Sequence, residues 1–235
     1  MYEFNGTNFT NLRLYWQAMG TTELTHPFKM STDWPNRLWS HEPDYSLSEA
    51  VSILAREPRS LIFPVAGSQF NDELSNKGAI EVRLEQVAMN LDLKDRAPSE
   101  PAIYSRHLQV IESPQMLATW IEICSSAFAY TIDAVSIQKL MRNDDARVYL
   151  LTDQGVAKAT AITFRTGNTL GVHQVGVPEQ FRRQGLAQSL MQHIIAQAYD
   201  NDIETVVLQA SKMGQPLYQS FGFTDQFHIN YIAVD

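Results

Sequence analysis

The chain has 235 residues and a mass of 26.6 kDa, enough for one large domain or for one domain with a smaller partner. Hydrophobic residues make up 44% of it and charged residues 19%, so the composition excludes global disorder. The formal net charge of −8 argues against binding of nucleic acid through a broad basic face.

Cysteine content and hydropathy indicate the cellular compartment in which the protein is expected. The chain has one cysteine, Cys124, which excludes an internal disulfide and a cysteine-based zinc cluster and favours a reducing environment. The amino-terminal segment lacks the basic and apolar regions of a signal peptide, and no apolar run approaches the roughly 18 residues of a membrane span. We therefore expect a cytoplasmic protein without a metal and without membrane or nucleic-acid partners.

Helix and strand signals are mixed in the first part of the chain. Ser46 and Glu49 have the spacing of a capping box, and apolar residues follow at helical spacing, which predicts a helix. Apolar and charged residues alternate over 80–85, which predicts a half-buried strand. The predicted class of this part is α/β.

A charged segment with two prolines, 92–101, is the best linker candidate. It divides the chain into an α/β domain of unknown role, residues 1–96, and a second domain, residues 103–235. Neither part is basic.

The second domain has a clear order of elements. Ser113 followed by Pro114 is a cap with proline at the first helical position, which predicts a helix start. Turn signals later split three strands into an antiparallel meander. The predicted order is β-α-α-β-β-β-α-β-α-β, over 108–111, 113–128, 134–141, 148–152, 156–164, 170–177, 186–198, 206–208, 216–221 and 227–234.

Cys124 belongs to the first helix of this domain. It shares an apolar stripe with Leu117, Trp120 and Phe128 at helical spacing. We interpret it as a small core residue rather than a nucleophile, because the sequence places no histidine or aspartate near it.

A short motif follows the meander, where strand becomes helix. Residues 182–187 read Arg-Arg-Gln-Gly-Leu-Ala, an Arg-x-x-Gly-x-Ala pattern. The first turn of a helix has unpaired N–H groups and the positive end of the helix dipole, and the small Gly185 and Ala187 let an anion approach them. Arg182 and Arg183 add positive charge. The motif predicts a pyrophosphate site; a solvated basic helix start is the alternative.

A second segment, residues 210–223, reads Ala-Ser-Lys-Met-Gly-Gln-Pro-Leu-Tyr-Gln-Ser-Phe-Gly-Phe, so a helix presents Tyr218 before a Gly-Phe stop. Together the two segments resemble the GNAT superfamily of acyl-CoA-dependent N-acetyltransferases. Its members carry Arg/Gln-x-x-Gly-x-Gly/Ala, and their last helix often reads Ser-x-x-Gly-x-x-Leu-Tyr-x-x-x-Gly-Phe. The resemblance covers 103–235 and implies the GNAT-like acyl-CoA N-acyltransferase fold, an α/β (α+β) architecture with a mixed sheet. The first part is a candidate degenerate GNAT-like half.

The resemblance implies acetyl-CoA as the acyl donor. The pantetheine arm would lie along the third meander strand, bonded to backbone groups of Val175 and Val177, with Gly176 easing its approach. Ser211 either contacts the cofactor or caps the last helix. The residues implied around the pyrophosphate are Arg182, Arg183, Gln184, Gly185, Leu186, Ala187 and Gln188.

Acetyl transfer to an amine requires a neutral nucleophile and a stabilised leaving thiolate. His173 stands where some relatives carry a histidine, and it is the predicted base. Many relatives have a glutamate two residues earlier, where this chain has Gly171, so the sequence leaves the base open. Tyr218 is predicted to stabilise the leaving thiolate, and a core tyrosine is the alternative.

These features predict an N-acetyltransferase that acts by direct attack of a primary amine on acetyl-CoA in a ternary complex. The acceptor, a small-molecule or peptide amine, is expected to enter from the side formed by residues 128–135 and by the last strand pair. The alternative is a regulatory module that binds CoA without turnover. Three roles stay open for the first part: shaping the acceptor pocket, forming a homodimer, or capping the sheet.

Overall fold

The computed structural model of the protein describes residues 6–67, 80–94 and 106–234. Helices and strands are mixed along the chain, in agreement with the predicted α/β (α+β) class. The helices are α1 (Thr7–Ala18), α2 (Leu47–Arg56), α3 (Pro114–Phe128), α4 (Ala134–Met141), α5 (Leu186–Asp200) and α6 (Gln215–Ser220). The strands are β1 (Thr21–Glu23), β2 (Phe28–Ser31), β3 (Leu38–Ser40), β4 (Phe63–Ala66), β5 (Ile80–Asp92), β6 (Arg106–Val110), β7 (Ala146–Asp153), β8 (Val156–Thr166), β9 (Thr169–Gly176), β10 (Thr205–Ala210) and β11 (Thr224–Val234).

Contacts divide the chain into two compact units. The amino-terminal unit consists of Met1–Asn90 with Leu208–Asp235, and the central unit is Leu91–Val207. Strands β5 and β10 contribute residues to both. The units differ from the two domains predicted from the linker, because α6 and β11 group with the first part of the chain. Most of the linker segment lies outside the described residues, and the two-domain boundary stays a prediction.

In the amino-terminal unit, β11 pairs antiparallel with both β4 and β5, in the strand order β4-β11-β5-β10. Strands β1, β2 and β3 form a separate antiparallel sheet. The core contains an aromatic group in which the Trp16 ring lies 5.7 Å from Trp39 and 6.4 Å from Tyr231 between centroids. Burial of such large rings stabilises the unit.

The two helices of this unit show what a sequence pattern reveals. Helix α2 is confirmed, and its Ser46 side chain accepts the predicted capping bond from the Glu49 N–H at 3.3 Å. Helix α1 carried no prediction, because polar residues occupy buried positions on it. The buried Asn8 amide donates to the carbonyl oxygens of Met89 at 3.0 Å and Leu208 at 3.1 Å.

The central unit has the strand order β5-β10-β9-β8-β7-β6, and β6 to β9 form the predicted antiparallel meander. The Ser113 side chain caps α3 as predicted, with Pro114 in the first turn. All ten elements predicted after the linker are present in their predicted order. Their ends shift by a few residues; Val177, for example, lies just beyond the end of β9. None of the helices in the described ranges is long and apolar enough to cross a membrane.

Candidate functional site

The turn that opens α5 is exposed and tightly bent. Arg182, Arg183, Gln184 and Gly185 are all exposed to solvent. Arg183 (φ 60°) and Gly185 (φ 72°) adopt left-handed backbone conformations, and only the glycine does so without steric cost. Gly185 is the N-cap residue and makes no side-chain cap bond, so the helix start is left open.

The backbone donors of this turn precede the helical hydrogen-bond ladder. The first bond of α5 runs from the Ser189 N–H to the Gly185 carbonyl at 2.9 Å. The N–H groups of Leu186, Ala187 and Gln188 therefore have no acceptor within the helix. These unpaired N–H groups and the positive end of the helix dipole are the features on which the predicted pyrophosphate site depends.

A residue that the sequence did not single out holds this turn. The Arg106 guanidinium, from the first position of β6, donates to the Gln184 carbonyl at 2.6 Å and to the Gly185 carbonyl at 2.9 Å. In a trans peptide the C=O and the following N–H point in opposite directions. Fixing these two carbonyls on the protein side therefore directs the N–H groups of Gly185 and Leu186 away from Arg106.

A carboxylate lies beside the buried Arg106 guanidinium. Arg106 is only 8% exposed. Its Nε lies 3.7 Å from an Asp153 carboxylate oxygen, and the Lys158 ammonium lies 3.0 Å from the other oxygen. The carboxylate offsets the cost of burying a guanidinium. No local pattern in the sequence indicates this contact, because Arg106 lies 79 residues before Gly185.

Arg182 also acts on the backbone. Its Nε donates to the Val177 carbonyl at 3.1 Å, and its Nη2 donates to the Ala127 carbonyl at 3.1 Å. These bonds tie the end of α3, the residue after β9 and the α5 turn together. The Val177 carbonyl thus already accepts one bond, whereas the prediction offered it to the pantetheine arm.

A β-bulge interrupts β9 near its end. Ile162 pairs with His173 and Thr160 with Gly176, so Gln174 and Val175 both lie opposite Ala161. Gln174 has a φ of 50°, and its backbone carbonyl accepts a bond from the Thr160 hydroxyl at 3.1 Å. Bulges bend a strand and break its ladder, which frees backbone groups for a ligand.

Two side chains of the α3 region reach the Gln174 side chain at the bulge. Its amide oxygen lies 3.6 Å from the Cys124 sulfur and 3.4 Å from the Tyr130 hydroxyl. Cys124 is fully buried, as the core interpretation expected, and burial raises the pKa of its thiol to about 12. A thiol in this state is a poor nucleophile.

Gly176 also has a role in packing, beside the predicted one toward the pantetheine arm, which stays a prediction. A Cβ atom at this position would lie 2.9 Å from the Phe128 ring, 2.9 Å from the Thr160 hydroxyl and 3.0 Å from the Ala127 Cβ. The glycine therefore lets α3 pack closely against β9. His173, the predicted base, lies on the same strand and is only 6% exposed.

The other predicted catalytic residue, Tyr218, belongs to the amino-terminal unit. It is 8% exposed, and desolvation raises the pKa of its phenol to about 12. Its ring packs edge-on against Phe223, with centroids 5.9 Å apart, and a Cβ on Gly214 would lie 3.2 Å from it. The Ser211 hydroxyl accepts a bond from the Gly214 N–H at 3.2 Å, in the turn before α6, and Gly214 is the N-cap residue of that helix.

The α/β fold, the bulged strand and the open helix turn agree with a family match that assigns the chain to the acyltransferases. A family model described as an acetyltransferase (GNAT) domain matches residues 110–229, and the chain belongs to this GNAT family. A search among curated proteins found no match.

Solved structures share the fold over nearly the whole chain. A GCN5-related N-acetyltransferase from Kribbella flavida is 17% identical, with 97% of this chain and 96% of that chain covered and a TM-score of 0.70. A putative acetyltransferase of the GNAT family from Novosphingobium aromaticivorans is 12% identical, with 97% and 96% covered and a TM-score of 0.63. The predicted GNAT fold is thus confirmed, and the likeness extends into the first part of the chain.

Members of this family generally use acetyl-CoA as the donor. The described residues fit its diphosphate, because residues 182–185 of the turn are exposed and the Gln184 and Gly185 carbonyls bond to Arg106, so that the N–H groups that follow them point away from it. The fit is therefore one of backbone geometry as well as positive charge.

Proposed function

We propose that the protein is an N-acetyltransferase that transfers the acetyl group of acetyl-CoA to a primary amine by direct attack in a ternary complex. The observation that carries this proposal is the exposed helix turn whose N–H groups Arg106 directs outward. Family membership supports acetyl transfer in general, and the Tyr218 segment favours attack on a thioester.

We assign binding of the donor to backbone groups of the central unit. The N–H groups of Gly185, Leu186, Ala187 and Gln188 would hold the diphosphate, with Arg183 adding charge. Backbone groups from Val175 to Val177, beside the bulge, would bond the pantetheine amides. The bound donor supplies an activated thioester carbonyl.

Tyr218 would stabilise the leaving thiolate by donating a hydrogen bond. Because the pKa of its phenol is raised to about 12, the hydroxyl stays protonated at neutral pH. An ordinary alkyl thiol has a pKa of about 8.5, so complete proton transfer to the thiolate is uphill by roughly 5 kcal/mol. Burial thus favours a strong hydrogen bond over full donation. His173 is our candidate for accepting the ammonium proton, directly or through water.

We place the acceptor beside the end of α3 and the start of α4. Phe128, Tyr130 and Val135 are large apolar side chains exposed there, at 36%, 45% and 52%. The Phe128 and Tyr130 rings lie 5.7 Å apart between centroids, and aromatic faces attract cations. With the net charge of −8, this favours a cationic amine.

The proposal is tested by release of free thiol from acetyl-CoA in the presence of aliphatic, polyamine, aromatic and peptide amines. We expect release that requires an amine, and a product heavier than that amine by one acetyl group. Calorimetry with acetyl-CoA runs in parallel. Binding without amine-dependent release across the panel would instead support the CoA-binding module.

A further inference from the structure

Two histidines and a glutamate meet on the surface of the amino-terminal unit. His26 precedes β2, while His41 and Glu42 follow β3. One imidazole nitrogen from each histidine and a Glu42 carboxylate oxygen lie within 4.8 Å of one another. The acetyltransferase family and the predicted reaction give this cluster no role.

The antiparallel pairing of β2 and β3 creates this juxtaposition. Phe28 lies opposite Ser40, so the residues just before β2 face those just after β3. The His41 N–H donates to the Pro27 carbonyl at 3.0 Å. The buried Ser40 hydroxyl accepts from the Glu42 N–H at 3.1 Å and donates to the Glu42 carbonyl at 2.6 Å. The backbone that carries the three side chains is therefore fixed.

The distances suit a small cation. His26 Nε2 lies 3.3 Å and His41 Nε2 lies 4.0 Å from the same Glu42 oxygen. In a tetrahedral zinc site with ligand bonds of about 2.0 to 2.1 Å, two ligand atoms are about 3.4 Å apart. The side chains of His26, His41 and Glu42 are 69%, 37% and 47% exposed, so each can rotate slightly to close the remaining gap.

We propose that His26, His41 and Glu42 form a binding site for a divalent transition-metal ion, with zinc as the best fit. Imidazole and carboxylate together are ligands for zinc, whereas magnesium and calcium prefer sites of oxygen ligands alone. Three protein ligands leave the fourth position to water. Because the ligands come from both strands at one end of the β2-β3 pair, the ion would cross-link the two strands there and stabilise the three-stranded sheet.

The test uses the full chain without a histidine tag, stripped of metal with a chelator. Zinc binding is measured by calorimetry, and the midpoint of thermal unfolding is measured with and without zinc. We expect one zinc per chain and a higher midpoint with zinc. His26→Ala and His41→Ala should each weaken binding by at least about tenfold and abolish the thermal shift. Excess magnesium should not compete.

His107→Ala is the matched control, because His107 is also exposed but lies on β6, outside the cluster. It should bind zinc like the parent chain. Failure of the parent chain to bind zinc at about 0.1 mM, or equal binding by all variants, would overturn the proposal. Glu42→Gln keeps the shape of the side chain but removes its charge. The zinc affinity of this variant should lie between that of the parent chain and those of the histidine variants.

Discussion

The α5 turn and the Tyr218 segment are both recognisable as motifs, but the structure supports them differently. The turn is exposed, and it depends on Arg106, which lies 78 residues before Gln184. Tyr218 is buried, and its ring packs against Phe223 of the same segment, with little room for a side chain at Gly214. The ring contact of Tyr218 thus lies within its own motif, whereas the α5 turn is held by a distant residue that its motif does not include.

The largest effect is expected at Tyr218. In Tyr218→Phe the ring and its packing remain but the hydroxyl is lost, so kcat should fall by about 10²-fold or more. Binding of acetyl-CoA should be unchanged by calorimetry. Since the pKa of the phenol is raised to about 12, the parent enzyme should lose no rate through tyrosine ionisation below about pH 11. A variant with full kcat would leave Tyr218 as a core residue only.

Changes at Arg106 should act on binding rather than on chemistry. Arg106→Gln removes the two guanidinium donors that bond the Gln184 and Gly185 carbonyls. The KM for acetyl-CoA should therefore rise about tenfold, with kcat little altered. Arg106→Lys keeps the charge without the guanidinium and should not restore KM. Arg165→Gln, at an exposed arginine, serves as the control. An unchanged KM in both Arg106 variants would show that the turn holds its shape unaided.

Gly176→Ala tests the packing beside the bulge. The added methyl group would lie within 3.0 Å of α3 and β8 atoms, so we expect a loss of about 1–3 kcal/mol in the free energy of unfolding. Chemical denaturation measures it. Gly155→Ala is the comparison, because Gly155 has open space around it but a φ of 78°, which costs about 1 kcal/mol. A loss below about 0.5 kcal/mol in Gly176→Ala would mean that α3 yields to the methyl group.

The smallest effect is expected at Cys124. With the pKa of its thiol raised to about 12 by burial, the folded protein should resist thiol-labelling reagents at pH 8 and keep its activity. After unfolding, one thiol per chain should react. Rapid labelling of the folded chain with loss of activity would assign the thiol a place at the reacting centre.

How much the sequence predicts differs between the two units. In the central unit, apolar runs and turn signals predicted β7, β8, β9 and α5, because turn residues separate the apolar strands and α5 has an apolar stripe at helical spacing. Helix α1 escaped prediction because the buried Asn8 breaks that pattern and bonds to distant backbone. The bulge at Gln174 and the Arg106 contacts were not predicted either. Both depend on residues that are distant in the sequence, since the register between strands is a long-range property.

The most direct test of the account is the dissociation constant of acetyl-CoA for Ala187→Asp, measured by calorimetry beside Ala187→Asn. A carboxylate in the first turn stabilises a helix but repels a diphosphate bound there. The account predicts an unaltered or higher unfolding midpoint together with acetyl-CoA binding at least about tenfold weaker than in the asparagine variant of the same size. Equal affinity in the two variants would contradict a diphosphate site at the start of α5.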